Sequence, residues 1–144
     1  MDYVPRILVV EDDLTLKPFW EVFFGRSLLR FHLDWAVSGE EARRLVADAN
    51  QPNESGDRGT YDLIVADLFL SGAETGLDLL DSVEVKQSGA SVVLVSAVKA
   101  DRIRQSYEGL ISSRVILSKP LKFATCERLM AGPLLRTQSR LGVN

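Results

Sequence analysis

Four short apolar runs, rich in β-branched residues and each followed by a polar side chain, constrain the fold of this chain more than any other feature. The runs are 7–10, 63–66, 92–95 and 115–117. Continuous apolar runs of this length are typical of strands buried on both faces of a parallel sheet. Segment 32–37 instead alternates apolar and polar residues, which is typical of an edge strand. Together these patterns predict a sheet of five strands.

Amphipathic segments follow the strands and predict helices, so that the order of elements is βα repeated five times. This order implies a doubly wound α/β fold with right-handed crossovers and a parallel sheet, for which we expect the strand order 2-1-3-4-5. The first helical pattern covers Leu16–Phe24, and the second begins at the Ser38–Glu41 capping box. The other three cover Gly76–Lys86, Ile103–Leu110 and Leu121–Met130. Gly109 is the expected stop signal of the fourth helix, and Gly132–Pro133 is that of the fifth.

Length and composition limit the class of protein. The 144 residues are 46% hydrophobic and 26% charged, which excludes collagen-like, disordered and membrane-spanning chains. Cys126 is the single cysteine and cannot form an internal disulfide, so a reducing, cytoplasmic location is expected. The domain prediction is one domain over 1–144, with its core at 6–131, a surface insertion at 50–60 and a short C-terminal tail at 132–144.

Charge is distributed unevenly although the net charge is only −3. Residues 1–98 hold 8 Lys/Arg against 17 Asp/Glu, and residues 99–144 hold 9 against 3. The two parts therefore carry −9 and +6, which suggests separate surfaces for separate partners. The alternative is that both are ordinary solvated faces.

Polar side chains follow each of the four buried strands. Glu11 and Asp12 follow the first, Asp67 the third, Ser96 the fourth and Lys119 the fifth. Ligands of open α/β sheets bind at the carboxyl ends of the strands, so these groups are expected to meet there. Carboxylates so close together stay ionised only beside a cation, and oxygen ligands favour Mg²⁺. A hydroxyl and an ammonium nearby would hold a phosphoryl group, with Asp67 as the candidate nucleophile.

Each of these residues also has a simpler interpretation. Asp12 or Asp13 could favour the N-terminus of the next helix, Ser96 could belong to a turn, and Lys119 could be a solvated charge. Taken singly, these interpretations are as good as the functional one. They are hard to maintain together for groups at the same end of four buried strands.

At this point the sequence resembles the receiver domains of bacterial response regulators, which have a flavodoxin-like, CheY-like (βα)5 fold. The matching segments are V-V-E-D-D at 9–13, D-L-I-V-A-D-L-F-L at 62–70, L-V-S-A at 94–97 and L-S-K-P at 117–120. The resemblance implies that Asp67 is the phosphoacceptor, that Ser96 and Lys119 hold the phosphoryl group, and that the bond before Pro120 is cis. The implied Mg²⁺ ligands are Glu11, Asp12, Asp67 and the backbone carbonyl of Phe69.

Three features depart from the family pattern. Ile116 stands where the family usually has Tyr or Phe, so coupling to the output face must differ. After Asp67, Ser71 replaces the common Pro, and 73–76 replace a shorter turn, which either loosens the rim of the site or is neutral. Phe69 and Val98 would flank the phosphoryl group, and two apolar neighbours should exclude water and prolong the life of the phosphoaspartate.

The resemblance implies a receiver with no attached effector, phosphorylated by a histidine kinase or a histidine phosphotransfer protein and signalling through a separate effector protein. Such a protein is not an enzyme for other substrates and catalyses only its own Mg²⁺-dependent phosphorylation and dephosphorylation. No direct binding to nucleic acid and no membrane association are expected. The alternative is a receiver-fold interaction module that works without phosphorylation, which Ile116 favours. A phosphatase with an aspartate nucleophile would need a D-x-D arrangement that 11–14 do not supply.

Overall fold

The computed structural model describes residues 4–52, 59–70, 72, 74–106 and 114–141, and shows a parallel sheet with helices on both faces. The strand order is β2-β1-β3-β4-β5, so the predicted doubly wound topology is confirmed. Most of the predicted insertion at 50–60 and the end of the predicted fourth helix lie outside the described residues. The elements are β1 (Arg6–Val10), a 3-10 turn (Leu14–Leu16), α1 (Lys17–Ser27), β2 (His32–Ala36), α2 (Gly39–Asn50), β3 (Leu63–Asp67), α3 (Gly76–Leu80), α4 (Val83–Ser88), β4 (Ser91–Ser96), α5 (Ala100–Ser106), β5 (Val115–Ser118), α6 (Phe123–Leu129) and α7 (Ala131–Leu141).

All strand pairs are parallel, so the carboxyl ends of the strands lie along one edge of the sheet. Val10 of β1 pairs with Ala66 of β3, and Asp67 pairs with Val95 of β4. Ser96 in turn pairs with Ser118 of β5. This register brings the residues at the carboxyl ends of β1, β3, β4 and β5 to neighbouring positions.

The apolar strand residues alternate between two core clusters, one on each face of the sheet. One cluster packs against α2 to α5 and includes Leu8, Ile64 and Leu94 of the sheet. The other packs against α1 and α6 and includes Val9 and Val65. Because both faces are covered, each interior strand needs an unbroken apolar run, as the sequence has.

Helix α1 buries three of its aromatic side chains and exposes one large aliphatic residue. Trp20, Phe23 and Phe24 are buried. The rings of Trp20 and Phe23 pack edge-to-face, with their centroids 5.7 Å apart. Val22 lies on the opposite side of the helix and is 53% exposed. Pro18 lies in the first turn, where a helix does not require its missing N–H.

The segment predicted as one helix from Gly76 to Lys86 forms two helices, α3 and α4. Ser82 separates them, because its hydroxyl accepts a hydrogen bond from the Val85 N–H and caps a new helix. Serine at a turn thus outweighs the continuous apolar spacing on which the prediction rested.

The helix predicted over Leu121–Met130 is α6, which ends at Leu129, but it is not the last helix. A further helix, α7, covers Ala131–Leu141 and so most of the predicted tail at 132–144. Pro133 falls in the first turn of α7, where its lack of an N–H costs no intrahelical bond. Thr137 and Pro133 are buried, and Leu134 packs against the core cluster of the α1 face. Among the helices in the described part of the chain, none is long and apolar enough to cross a membrane.

Candidate functional site

Three carboxylates meet at the carboxyl edge of the sheet, and we call Glu11, Asp12 and Asp67 the acidic cluster. One oxygen from each lies within 4.8 Å of the others. Glu11 and Asp67 are buried, whereas Asp12 is exposed and faces solvent. The donors are all hard oxygens, and the exposed side leaves space for water ligands, which fits Mg²⁺ better than a softer metal.

Lys119 supplies a positive charge to this cluster. Its Nζ lies 2.7 Å from Asp67 Oδ2 and 2.8 Å from Glu11 Oε1. Burial alone would lower the pKa of the Lys119 ammonium, but the two carboxylates outweigh burial and raise it. Burial raises the pKa of Glu11, and the Lys119 ammonium opposes that shift. The simpler interpretation of Lys119 as a solvated charge is therefore wrong.

Both carboxylate oxygens of Asp67 are held in hydrogen bonds. Oδ2 accepts from Lys119, and Oδ1 accepts from the Phe69 backbone N–H at 2.9 Å. These bonds fix the plane of the carboxylate at the end of β3. The Phe69 side chain is 46% exposed beside it, and the role of the Phe69 carbonyl as a metal ligand stays a prediction.

The third acidic residue of the β1 loop has a structural role. Asp13 Oδ1 accepts hydrogen bonds from the N–H of Thr15 at 3.0 Å and from its hydroxyl at 2.6 Å, and so caps the 3-10 turn. These bonds lower the pKa of Asp13. The Asp13 N–H in turn donates to Glu11 Oε2 at 3.1 Å, which helps to orient the Glu11 side chain. Asp13 is therefore the residue that caps the helical turn, and Asp12 belongs to the acidic cluster.

Ser96 is fully buried at the end of β4. Its hydroxyl oxygen accepts a hydrogen bond from the Val98 N–H at 2.9 Å, so that it also forms part of a turn. This bond does not use the hydroxyl proton, which is the group needed to donate to a phosphoryl oxygen. The Ser96 carbonyl accepts from the Lys119 N–H at 2.8 Å, and the Lys119–Pro120 peptide is cis, as the resemblance implied.

Glu74, in the segment between β3 and α3, is held to α2 by two contacts. The Glu74 N–H donates to Glu40 Oε1 at 2.7 Å, and the Glu74 carboxylate pairs with Arg43. Arg43 also reaches Glu84 on α4 at 3.3 Å. Ser71 and Ala73, the other divergent positions of this loop, lie outside the described residues.

Two residues that the sequence did not single out support the site. The Trp35 indole N–H donates to the Glu11 backbone carbonyl at 3.0 Å, so the edge strand β2 also contributes to the site. A Cβ on Gly76 would lie 2.8 Å from the carbonyl carbon of Asp67 and closer still to its oxygen. A tryptophan near the end of an alternating strand was one available signal, because a partly buried indole N–H usually has a partner.

Ile116, which replaces the usual aromatic residue, is buried. It belongs to the core cluster beneath α2 to α5 and is 6% exposed. It pairs with Leu94 of β4 in the sheet. An aliphatic side chain therefore occupies the interior at this position.

Comparison of whole structures identifies the fold. A signal receiver domain of a putative LuxO repressor from Vibrio parahaemolyticus matches with a TM-score of 0.68 at 20% identity, over 96% of this chain and 95% of that one. A CheY-like receiver domain protein from Methanospirillum hungatei gives 0.68 at 16% identity, over 96% and 99%. A CheY-like receiver domain from Methylobacillus flagellatus gives 0.62 at 25% identity, over 91% and 99%.

Many of the structures similar to this chain are thus CheY-like receiver domains, and the chain has their fold. No protein-family model matches the sequence, and no curated protein matches it significantly. The similarity therefore rests on three-dimensional structure and on the few residues at the strand ends.

Proposed function

We propose that this protein is a response regulator receiver that accepts a phosphoryl group on Asp67 with the help of Mg²⁺. The observation that supports this most directly is the position of Lys119, whose ammonium contacts Asp67 and Glu11 within an acidic cluster. A cation beside a nucleophilic carboxylate neutralises the charge that phosphoryl transfer brings together. The receiver fold is consistent with this chemistry but does not require it.

Glu11, Asp12 and Asp67 would hold the metal ion, with the Phe69 carbonyl as a further ligand. The ion, when bound, supplies charge neutralisation for the incoming phosphoryl oxygens. Each ligand is an oxygen atom, and the exposure of Asp12 opens the cluster to solvent and to an incoming phosphate.

The protein's own residues divide the remaining tasks. An Asp67 carboxylate oxygen forms a bond to phosphorus while the donor's nitrogen–phosphorus bond breaks, and the leaving imidazole takes up a proton. The Lys119 ammonium moves its hydrogen bond from Asp67 Oδ2 to a phosphoryl oxygen. The Ser96 hydroxyl donates a hydrogen bond to a second phosphoryl oxygen. Asp67 thus acts as nucleophile, while Lys119 and Ser96 orient the phosphoryl group.

The partners follow from this chemistry. The donor would be a histidine kinase or a histidine phosphotransfer protein, and the protein would catalyse only its own phosphorylation and dephosphorylation. A separate effector would recognise the phosphorylated state. Four exposed basic side chains lie in α5 and α6 or directly before them, namely Lys99, Arg102, Lys122 and Arg128. They favour an acidic surface on that effector.

A second candidate function is a receiver-fold interaction module that works without phosphorylation. Ile116 favours it, because this buried aliphatic side chain cannot turn a polar ring edge between core and surface. The intact pair of Asp67 and Lys119 argues for the first function.

One experiment separates the two candidates. The protein is incubated with acetyl phosphate and Mg²⁺, and its intact mass is measured. Addition of one phosphoryl group is expected in the wild type and in Asp13→Asn, which keeps the capping oxygen and lies outside the cluster. Asp67→Asn should show no addition. An unchanged wild-type mass over a range of donor and Mg²⁺ concentrations would contradict the phosphoacceptor function.

A further inference from the structure

Residues of β2 form hydrogen bonds with both the backbone N–H and the backbone carbonyl of Glu11. The Glu11 N–H donates to the Ala36 carbonyl at 2.9 Å, and the Glu11 carbonyl accepts from Trp35 Nε1 at 3.0 Å. The first bond extends the parallel ladder and would form with any sequence. The second depends on one side chain, the indole of Trp35.

The carbonyl that Trp35 binds belongs to the peptide between two members of the acidic cluster. This peptide links Glu11 to Asp12, so its orientation sets the direction in which both carboxylates leave the backbone. The Glu11 carboxylate has further contacts with the Asp13 N–H and with Lys119. Asp12 follows this peptide directly and is exposed to solvent.

We propose that Trp35 is a positioning residue, which fixes the Glu11–Asp12 peptide so that both carboxylates converge on a divalent cation. This inference rests on the metal site of the proposed function. Trp35 touches neither the cation nor the phosphoryl group, and acts only through its hydrogen bond to the backbone.

The side chain suits this task because it is amphipathic. The ring is partly buried and packs against the core cluster on the α1 face, while the N–H points to the loop at the edge of the sheet. Phenylalanine would keep an aromatic ring on this face but would offer no donor to the Glu11 carbonyl. The packing and the hydrogen bond of Trp35 can therefore be separated by substitution.

Binding of Mn²⁺ to the full chain, followed by the electron paramagnetic resonance signal of free Mn²⁺, tests the proposal. Trp35→Phe should weaken binding about tenfold, the lower end of the range for groups that orient metal ligands. Replacement of Trp35 by benzothienylalanine, which is nearly isosteric but lacks the N–H, should weaken it similarly with little loss of packing. The same replacement at Trp20, buried in α1, is the matched control and should leave Mn²⁺ affinity unchanged.

The free energy of unfolding in urea without metal provides the second readout. If Trp35 had only a structural role, Trp35→Phe would lower the free energy of unfolding and leave the Mn²⁺ affinity at the wild-type value. That result would overturn the proposal. Wild-type protein that binds no Mn²⁺ would overturn it as well. Weaker Mn²⁺ binding by the Trp35 variants would support it even if acetyl phosphate failed to modify Asp67, which would count against the proposed function alone.

Discussion

Replacing Gly76 with alanine should both destabilise the protein and disturb the site. The new Cβ would lie 2.8 Å from the Asp67 carbonyl carbon and 2.8 Å from Leu68 Cα, and all the atoms it meets there are backbone. Carbon atoms in contact normally lie about 3.5 to 4.0 Å apart, so the start of α3 or the end of β3 must move by about 1 Å. Overpacking of this kind costs about 1 to 3 kcal/mol, and the rigid surroundings favour the upper half of that range.

Gly25→Ala provides the matched control, because Gly25 also lies in a helix but a Cβ there would meet nothing within 4 Å. Alanine at this exposed position should stabilise the protein by about 0.5 to 1 kcal/mol through helix propensity alone.

Urea denaturation distinguishes the two changes. With a slope of about 2 kcal/mol per molar urea, the midpoint should fall by about 1 M for Gly76→Ala and rise by about 0.3 to 0.5 M for Gly25→Ala. A displaced Asp67 should also slow phosphorylation of the Gly76 variant by acetyl phosphate. Equal midpoints for the two variants would refute the close approach of Gly76 to Asp67.

Three further predictions concern single side chains. Phe69→Asn should shorten the lifetime of phosphorylated Asp67, since a polar group replaces an apolar neighbour that excludes water; equal rates of phosphate loss would contradict this. Burial raises the pKa of the Cys126 thiol, so a disulfide reagent at pH 8 should react slowly with folded protein and fully in urea, and rapid reaction of the native state would show that the thiol is accessible. Arg43→Met should speed amide hydrogen exchange at Glu74, whereas Arg44→Met, on the exposed side of the same helix, should leave that rate unchanged.

Much of the site could be predicted because it follows from the register of a parallel sheet. Apolar runs mark the strands, and the residue after each run must lie at the carboxyl edge, which brings Glu11, Asp67 and Lys119 together. Helix ends were harder to predict, because they depend on local competition. Ser82 starts a new helix within a continuous apolar pattern, and Pro133 lies in the first turn of a further helix, α7, that was not predicted.

The contacts that support the site could not be predicted from spacing. The hydrogen bond between Trp35 and Glu11 joins elements separated along the chain, and the sequence does not tell which partner a buried donor selects. The same holds for Glu74, a divergent loop residue whose ion pair with Arg43 fastens the loop to α2. Side chains of this kind are found only once the packing of elements is known.

Because the acidic cluster and Lys119 come from three different strands, the site cannot exist until β1, β3 and β5 occupy the same sheet. Contacts so distant along the chain require the costly closure of long loops before they form. A cation that binds only the completed sheet stabilises the native state and not the preceding transition state. Such a ligand would therefore act on the folding reaction chiefly by slowing unfolding, and would leave the folding rate nearly unchanged.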